Sequence, residues 1–408
     1  LAAGRLQDKV NPRMTAIFGG LLTGAGLMAL SQSNLLANWI LGFGVLMGLG
    51  LGFGYASATP PAIKWFPSSK TGMIAGIVVA GFGLASVYIA PMATYLIGTF
   101  GLDKAMLIFG ASFLIVVSLL AMLLVNPPEG YQPEGELTDK VKTLTPKAQT
   151  EDFPPSEIVK TKSFWKLWFM FFVGSGAGLI IIGSVAGMAK QSMGSLAWVV
   201  VALMAIGNAS GRVVAGILSD KIGRTRTLCA MMTFQGIVIT SLLFINNTQG
   251  FLLVIAATLI GFNYGTNLSL FPSATKDYFG LKNFGANYGL VFSAWGVGGF
   301  IFPRVSQMIV AQTGSAEASY IMAAFLLFLS AGMTFITKAP RSLRDKATVL
   351  TSLQPGKLYH GYFVYDPTSA TDTADVAHGS NDQEASAMSG GPIRLLPGVM
   401  RGRTRKAS

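Results

Sequence analysis

The chain alternates between long apolar stretches and shorter polar segments. The apolar stretches cover residues 14–30, 39–60, 72–97, 104–124, 165–188, 197–218, 227–245, 251–272, 285–310 and 318–336. A helix needs about 20 apolar residues to cross the ~30 Å hydrocarbon layer of a bilayer. Gly and Pro are frequent within the stretches, which is typical of helices that pack closely or bend in lipid. The pattern therefore predicts an all-α integral membrane protein with ten visible spans.

Composition supports a membrane protein and excludes several other classes. Hydrophobic residues make up 51% and charged residues 12% of the 408 residues. The hydrophobic fraction is higher and the charged fraction lower than in a typical soluble domain. One cysteine, Cys229, excludes a disulfide framework, and both histidines, His360 and His378, fall in the polar C-terminal segment. We find no Ser/His/Asp grouping, metal-ligand cluster or phosphate loop. We therefore expect no enzyme, no metal site and no cofactor.

Positive charge is concentrated on one side of the predicted helices. If residues 5–13 are cytoplasmic, alternation of the spans places every Lys and Arg on that side except Lys104, Lys190, Arg212 and Arg304. The positive-inside rule then predicts a multi-pass protein of the plasma (inner) membrane with a cytoplasmic C-terminus. This bias explains the net charge of +12 without nucleic acid. The expected partners at this stage are membrane lipids, and we expect a monomer.

Two sections of the chain repeat one another. Residues 3–10 match residues 215–222 at an offset of 212, and residues 65–83 match residues 278–296 at an offset of 213. A repeat of this length predicts two pseudo-symmetric halves of parallel topology. The second half has two spans before its matching segment, whereas the first half begins at that segment. We therefore expect two further spans upstream and twelve spans in the complete form.

The repeat also sets the domain boundaries. Residues 1–125 form the first transmembrane half, with spans 3 to 6, and residues 164–338 form the second half, with spans 7 to 12. Between them, residues 126–163 are rich in Pro, Glu, Lys and Thr, which predicts a cytoplasmic linker. Residues 339–408 are predicted to form a disordered cytoplasmic tail.

A short loop motif occurs once in each half. It reads Gly-x-x-x-Asp-Lys, with a further basic residue shortly afterwards, and it contains Asp8 in the first half and Asp220 in the second. This motif resembles the signature loop of the major facilitator superfamily. The resemblance implies a gating role for Asp8, Asp220, Lys221 and Arg224, in which each Asp caps a helix terminus, bonds to nearby basic groups and holds the cytoplasmic side shut. The motif does not indicate a substrate.

Longer sequence strings resemble a narrower family. They are residues 207–226, residues 262–299, the Lys-Trp-Phe-Pro string at 64–67 and the Asn-Pro-Pro-Glu-Gly-Tyr string at 126–131. All four resemble the oxalate:formate antiporter family, which includes the oxalate exchanger and relatives that move small monocarboxylates. The likeness extends from Gly4 to about Lys338 and leaves out the tail.

One buried charge is the main candidate for substrate binding. Arg212 is one of two charged residues inside the apolar stretches, where a charge costs about 2.5–3.5 kcal/mol on insertion scales. The resemblance places the exchanger's helix-eight arginine on Arg212 and its helix-eleven lysine on Trp295. It places aromatic substrate contacts on Tyr264 and Phe292, and a helix-ten tyrosine on Leu268. This chain therefore keeps one cation and loses the other.

Geometry favours a single site at the middle of the membrane. At 1.5 Å per residue, Arg212 and Trp295 lie ~12 and ~15 Å from the cytoplasmic ends of their helices. A guanidinium pairs with one carboxylate, while an indole offers a ring face and one N–H, so we expect a monocarboxylate. Asn208, one turn before Arg212, is placed to hold the arginine. The structural alternative is that Arg212 bonds helix carbonyls and that the aromatic residues are packing.

These observations predict a secondary transporter of small organic anions. The favoured substrate is a monocarboxylate of the pyruvate, lactate or formate type, carried by alternating access as antiport or facilitated exchange, since no visible helix holds a buried carboxylate for proton relay. Three alternatives stay open. They are an oxalate:formate antiporter in the strict sense, a membrane solute sensor that does not transport, and a truncated, inactive gene product.

Overall fold

The structure is a computed structural model that describes residues 2–33, 35–128, 131, 133, 152–245, 249–340, 358–359, 362–364 and 395–397. By compactness the chain divides into two units, Leu1–Pro340 and Arg341–Ser408. The described helices all lie in the first unit. The predicted division of that unit into two halves and a linker stays a prediction.

Helices before the predicted linker are α1 (Ala2–Lys9), α2 (Pro12–Leu30), α3 (Leu36–Asn38), α4 (Gly48–Trp65) and α5 (Thr71–Ala121), with a π-helix over Trp39–Met47 and a 3₁₀ turn over Ser68–Lys70. Asn11 caps α2 by accepting a bond of 2.8 Å from the Met14 N–H, and proline follows the cap, as the start of a helix favours. The long α5 consists of two helices joined at Gly101, whose φ of 78° suits glycine.

Helices after the predicted linker are α6 (Pro155–Ile158), α7 (Lys162–Met193), α8 (Ala197–Ile222), α9 (Arg224–Ser241), α10 (Gly250–Phe279), α11 (Phe284–Thr313) and α12 (Glu317–Phe335), with 3₁₀ turns over Gly194–Leu196 and Leu242–Phe244. Thr161 caps α7 through its hydroxyl, which accepts from the Phe164 N–H at 3.2 Å. Gly280 ends α10 with a φ of 82°, so that the chain reverses directly into α11.

Eight helical segments of the described chain are long and apolar enough to cross a membrane. They are Pro12–Leu30, Leu36–Trp65, Ser68–Ala121, Lys162–Val185, Ala197–Ile222, Arg224–Phe244, Gly250–Phe279 and Glu317–Phe335. Nine of the ten predicted spans correspond to these eight segments. Ser68–Ala121 holds two of them, and the tenth corresponds to α11, in which glycine and polar residues dilute the apolar character. The prediction of an all-helical membrane fold is confirmed.

The helices bury a common core and leave large apolar side chains on the outside. Phe171 and Phe271 stack at 4.2 Å between ring centroids in the interior. Phe244, Phe300 and Phe335 are each at least three-quarters exposed. Apolar exposure on that scale would be a liability in water, whereas a bilayer matches it because lipid tails are apolar.

Glycine allows the central helices to approach one another closely. A Cβ added at Gly211 of α8 would overlap with the carbonyl of Phe262 on α10, and one at Gly265 of α10 would overlap with the carbonyl of Asn208 on α8. Small residues at such positions let helix backbones touch in a membrane. Close packing of α8 on α10 fixes the position of the residue one turn after Asn208, which is Arg212.

The described residues of the second unit form three short strands, β1 (Leu358–Tyr359), β2 (Tyr362–Val364) and β3 (Leu395–Pro397), which pair antiparallel in the order β1-β2-β3. Leu358 pairs with Phe363, and Phe363 pairs with Leu396. The predicted disorder of residues 339–408 concerns, for the most part, positions outside the described residues.

Candidate functional site

Arg212 is buried near the middle of α8 and is held by two hydrogen bonds. Its side chain is 4% exposed. The Nε–H donates to Asn208 Oδ1 at 3.0 Å, and Nη1 donates to the backbone carbonyl of Val79 on α5. A guanidinium has five N–H donors, so these two bonds leave donors for a ligand. The predicted contact between Arg212 and Asn208 is present.

The approach of α5 to α8 explains why the Val79 carbonyl reaches this arginine. A Cβ added at Gly76 would overlap with the backbone carbonyl of Arg212, and one at Gly83 would lie 3.0 Å from the Ala209 Cα. Because both glycines lack side chains, the two helix backbones come into direct contact. Sequence reasoning missed the Val79 carbonyl, since a backbone acceptor leaves no signal in residue type.

Trp295 and Tyr264 form a hydrogen-bonded pair opposite Arg212. The indole Nε1–H of Trp295 donates to the Tyr264 hydroxyl oxygen at 2.8 Å. That indole also stacks on Phe292, with ring centroids 5.3 Å apart and planes 11° apart. An indole nitrogen only donates, so the phenolic O–H of Tyr264 is free to donate to another acceptor. The Tyr264 side chain lies within electrostatic range of the Arg212 guanidinium.

The five residues predicted to bind substrate are therefore brought together. Asn208 contacts Arg212, Tyr264 accepts from Trp295, and Trp295 stacks on Phe292. Arg212 and Tyr264 lie within electrostatic range of one another. These contacts connect α8, α10 and α11, the helices that carry the five side chains. Whether the group binds a substrate stays a prediction.

Two further tyrosines belong to this group, and sequence reasoning missed both. Tyr55 of α4 and Tyr288 of α11 lie within electrostatic range of Arg212. The Tyr55 ring stacks on Phe292 at 4.7 Å, and its hydroxyl donates to the Leu268 carbonyl at 3.4 Å. Tyr55 precedes Leu268 by the repeat offset of 213 residues. The family resemblance implies a substrate-site tyrosine at position 268, where this chain has Leu. The repeat offset relates that position to Tyr55, so it could have identified Tyr55 as a candidate.

A cavity of about 180 Å³ lies beside these aromatic rings. It is lined by Tyr55, Tyr288 and Phe292 and by small residues of α1, α4 and α11. Among the described residues, Arg212 is not part of the lining of this cavity. The arrangement provides a buried cation, phenolic donors and an apolar aromatic wall.

The Asp220 loop closes against the start of α5. The Asp220 carboxylate accepts from the Gly72 N–H at 2.9 Å and from the Met73 N–H at 2.8 Å. Arg224 Nη1 lies 2.6 Å from Asp220, and its Nε lies 2.8 Å from Asp277 Oδ2 on α10. Carboxylates suit the N-terminus of a helix, where N–H groups lack partners. We call this set of bonds the Asp220 contact.

The Asp8 loop makes the corresponding contact with the start of α11. Asp8 accepts from the Gly285 N–H at 3.1 Å and from the Ala286 N–H at 2.8 Å. Burial raises the pKa of Asp8, while the bonds from Ala286 and Gly285 and the charge of Lys64 lower it. We call this set of bonds the Asp8 contact, and the end of the helical unit that holds both contacts the loop end.

Of the predicted gating residues, Asp8, Asp220 and Arg224 take part in these contacts. Lys221 does not, because its side chain is exposed while Asp220 and Arg224 are each 9% exposed. The chain turns at Gly223, whose φ is 93°, and this turn brings Arg224 at the start of α9 against Asp220 at the end of α8. The gating role of all four stays a prediction.

Comparison with known proteins identifies the family. The sequence pattern described as Major Facilitator Superfamily matches residues 1–194 and 178–367. The chain belongs to the Major Facilitator Superfamily. The predicted resemblance to this superfamily is thus confirmed, and the protein is a multi-pass membrane protein of a transporter family.

The relatives that the chain matches within the superfamily include transporters and carriers. The chain is 33% identical over 302 residues to the uncharacterized MFS-type transporter YhjX of Escherichia coli (strain K12), covering 72% of this chain and 71% of the relative. It is 28% identical to the oxalate:formate antiporter of Oxalobacter formigenes, covering 71% and 67%. It is 23% identical to the apicoplast pyruvate carrier 1 of Toxoplasma gondii, covering 78% and 68%.

A solved structure shows the superfamily fold as well. The structure of the E. coli fucose:proton symporter FucP has a TM-score of 0.61 and 13% sequence identity, and the likeness covers 83% of this chain and 87% of that chain. At this identity the likeness establishes the fold and says nothing of the substrate.

Proposed function

We propose that this protein carries a small monocarboxylate of the pyruvate, lactate or formate type across the plasma membrane by alternating access, as an antiporter or by facilitated exchange. The observation that carries the proposal is the buried arginine, Arg212, surrounded by tyrosines and an aromatic wall. The concentration of Lys and Arg on one side supports the orientation in which the loop end and the C-terminus are cytoplasmic.

Charge supports an anionic substrate. Among the described residues, the buried cations are Arg212, Arg224 and Lys276. The latter two lie at the loop end, where they bond to Asp220, Asp277 and Thr71. In the described part of the chain, the hydrogen-bond partners of Arg212 are neutral: Asn208 and the Val79 carbonyl. A buried cation with neutral partners favours a negatively charged ligand, because pairing offsets the free energy of leaving water.

The number of cations supports a single carboxylate. Trp295, at the position where the resemblance implies the exchanger's second cation, is bonded to Tyr264 and stacked on Phe292. The Tyr264 O–H supplies a neutral second donor, suited to the second oxygen of the same carboxylate or to a neighbouring hydroxyl or carbonyl. A second carboxylate would face rings and no cation, which costs free energy in a site excluded from water.

Alternating access gives the arginine a mechanistic role. A bound carboxylate neutralises Arg212, so that the loaded site crosses the occluded state as a neutral pair. Without an anion, the charge must be compensated by Asn208 and the Val79 carbonyl alone. Such a carrier exchanges one anion for another more readily than it returns empty, which is why we favour exchange over net uptake.

The test is exchange of labelled pyruvate, lactate, formate and oxalate by the full-length protein in liposomes. We expect Arg212→Gln to lower monocarboxylate exchange by at least about tenfold, since a charge-assisted hydrogen-bonded pair is lost. Arg304→Gln is the matched control, because Arg304 is an exposed arginine of α11. If Arg212→Gln exchanges pyruvate as fast as the control, Arg212 is a structural residue bonded to α5.

A second variant separates monocarboxylates from oxalate. Trp295→Lys supplies a second cation at the position that the resemblance implies, and we expect it to raise oxalate exchange relative to lactate exchange. The oxalate:formate antiporter among the relatives makes strict oxalate:formate exchange the second candidate function. Oxalate exchange by the unaltered protein at the rate of pyruvate exchange would favour that candidate. It would contradict the interpretation that Trp295, in place of a second cation, limits the site to one carboxylate.

A further inference from the structure

The end of the predicted linker is bonded to the turn between α10 and α11. Asp152 Oδ1 accepts from the Leu281 N–H at 2.8 Å and from the Lys282 N–H at 2.9 Å. Both N–H groups belong to the turn that follows Gly280. The linker therefore contacts the transport domain at a defined place.

Phe153 extends the same attachment. Its N–H donates to the Phe279 carbonyl at 3.0 Å, and its own carbonyl accepts from Asn283 Nδ2 at 3.2 Å and from Asn287 Nδ2 at 2.9 Å. The Phe153 ring is 4% exposed and lies edge-on to Phe279, with centroids 5.9 Å apart. Three backbone and side-chain bonds and a buried ring fix this residue. We call Asp152 and Phe153 together the linker strap.

The strap holds the same helix terminus that Asp8 caps. Asp152 binds the turn at Leu281 and Lys282, and Asp8 binds the first turn of α11 at Gly285 and Ala286. One carboxylate comes from the linker and the other from α1. Gly285 and Ala286 belong to the first turn of α11, where free N–H groups ordinarily bind acceptors, whereas Leu281 and Lys282 lie in the turn before that helix. The two carboxylates therefore bind neighbouring parts of one connection.

The Asp220 contact is held differently. Arg224 joins Asp220 to Asp277, whereas the residue 212 positions before Arg224 is Pro12, which has no charge. Among the described side chains, Asp8 forms no ion pair. The strap stands at the contact that lacks the arginine.

We propose that Asp152 and Phe153 are positioning residues of the loop-end gate. They hold the turn so that the Gly285 and Ala286 N–H groups are aligned to receive Asp8, and they thereby favour the state in which the loop end is closed. The linker is then part of the transport machinery and not only a tether between the halves. This inference rests on transport by alternating access and is independent of which anion is carried.

The test measures opening of the loop end in the absence of substrate, in full-length protein with Cys229→Ser as background. Two reporters are introduced separately, Ala3→Cys at the Asp8 contact and Ala75→Cys at the start of α5, both at buried positions. The readout is the rate of thiol modification. Because the halves rock as bodies, we expect Asp152→Ala to raise the rate at both reporters by roughly threefold to tenfold, since two charge-assisted bonds are lost.

Two variants serve as controls. Asp152→Asn keeps an Oδ1 acceptor for Leu281 and Lys282 and should restore most of the slow modification. Glu157→Ala removes another carboxylate of the same segment and should leave both rates unchanged. A faster rate at the Ala3→Cys reporter alone would show that the strap orders only its own turn, and unchanged rates at both would show that it does not act on the gate; either result overturns the proposal. Because no substrate is used, failure of the monocarboxylate proposal leaves this test intact.

Discussion

The Asp220 contact and the Asp8 contact each join a loop to the start of a helix, with the same backbone geometry and different neighbouring charges. In each, a carboxylate accepts from two successive N–H groups at a helix start. In each, glycines face one another, so that a Cβ added at Gly216 would overlap with the Gly72 carbonyl and one at Gly4 would overlap with the Gly285 carbonyl. The shared part of the contact is thus set by backbone approach.

Charge compensation is where the two contacts differ. Asp220 is paired with Arg224, which also binds Asp277, and both members of the first pair are 9% exposed. Asp8 has backbone partners and the more distant charge of Lys64, and its helix partner is held by the linker strap. The comparison teaches that two copies of an internal repeat can share the backbone geometry of a contact while the groups that stabilise its carboxylate differ.

The largest effect should come from removing the close backbone approach that both contacts share. We expect Gly4→Ala and Gly216→Ala each to reduce exchange by about tenfold or more, because the added Cβ forces packed helix backbones apart at the loop end. Liposome exchange, with the amount of folded protein measured in parallel, checks this. Gly81→Ala is the matched control, since nothing lies within 4 Å of a Cβ added there; equal activity of all three variants would show that the loop end does not need the close approach.

A smaller effect should separate the two carboxylates. Each substitution replaces one carboxylate oxygen by an amide nitrogen and removes a negative charge. Asp220→Asn also leaves the buried Arg224 with one ionic partner fewer, whereas the charge near Asp8 is that of the more distant Lys64. Removing one partner of a buried pair leaves the other charge less well compensated, but Arg224 keeps its bond to Asp277. We therefore expect roughly a tenfold loss of exchange for Asp220→Asn, about 1.4 kcal/mol, and about threefold for Asp8→Asn.

The double variant Arg224→Gln with Asp220→Asn sharpens that comparison. If Arg224 accounts for the difference, the effects of the two substitutions should be strongly non-additive. Equal losses for Asp8→Asn and Asp220→Asn would contradict the distinction drawn between the two contacts.

Local spacing predicted much of this arrangement. Asn208 and Arg212 lie one helical turn apart, which is why their contact could be expected from the sequence. The repeat offset and the hydropathy pattern likewise predicted the helices that carry Asp8 and Asp220. The spacing of Asn208 and Arg212 is periodicity within one helix, and the offset is a similarity between two sections of the chain; the sequence contains both directly.

Contacts between distant helices could not be predicted in the same way. The Val79 carbonyl and the linker strap act through backbone groups, and the segment that holds Asp152 has the composition of a flexible linker. Lys221 was expected at the gate because it follows Asp220, but its side chain faces away from that contact. Residue type and spacing therefore indicated the chemistry of the site, while its partners depended on how closely glycine lets the helices approach.

The smallest effect concerns pH and should appear at the Asp8 contact. Burial raises the pKa of Asp8 from its ordinary value of 3.8 when the loop end is closed, and we expect an ordinary pKa when opening exposes Asp8 to water. The closed state then binds a proton more tightly than the open state, so acid should favour closure. The burial penalty on the carboxylate is present above the raised pKa and is relieved as the pH falls through it.

We therefore expect thiol modification of the Ala3→Cys reporter to slow modestly as the pH on the loop side falls from about 7 towards about 4, after correction for the reactivity of the free thiol. Asp8→Asn has no proton to bind at that position and should lose the dependence, while Asp220→Asn should keep it. Acid that speeds modification instead would mean that the bonds from Gly285 and Ala286 and the charge of Lys64 outweigh burial. In that case Asp8 would be the better stabilised carboxylate, and the order of the two contacts would be reversed.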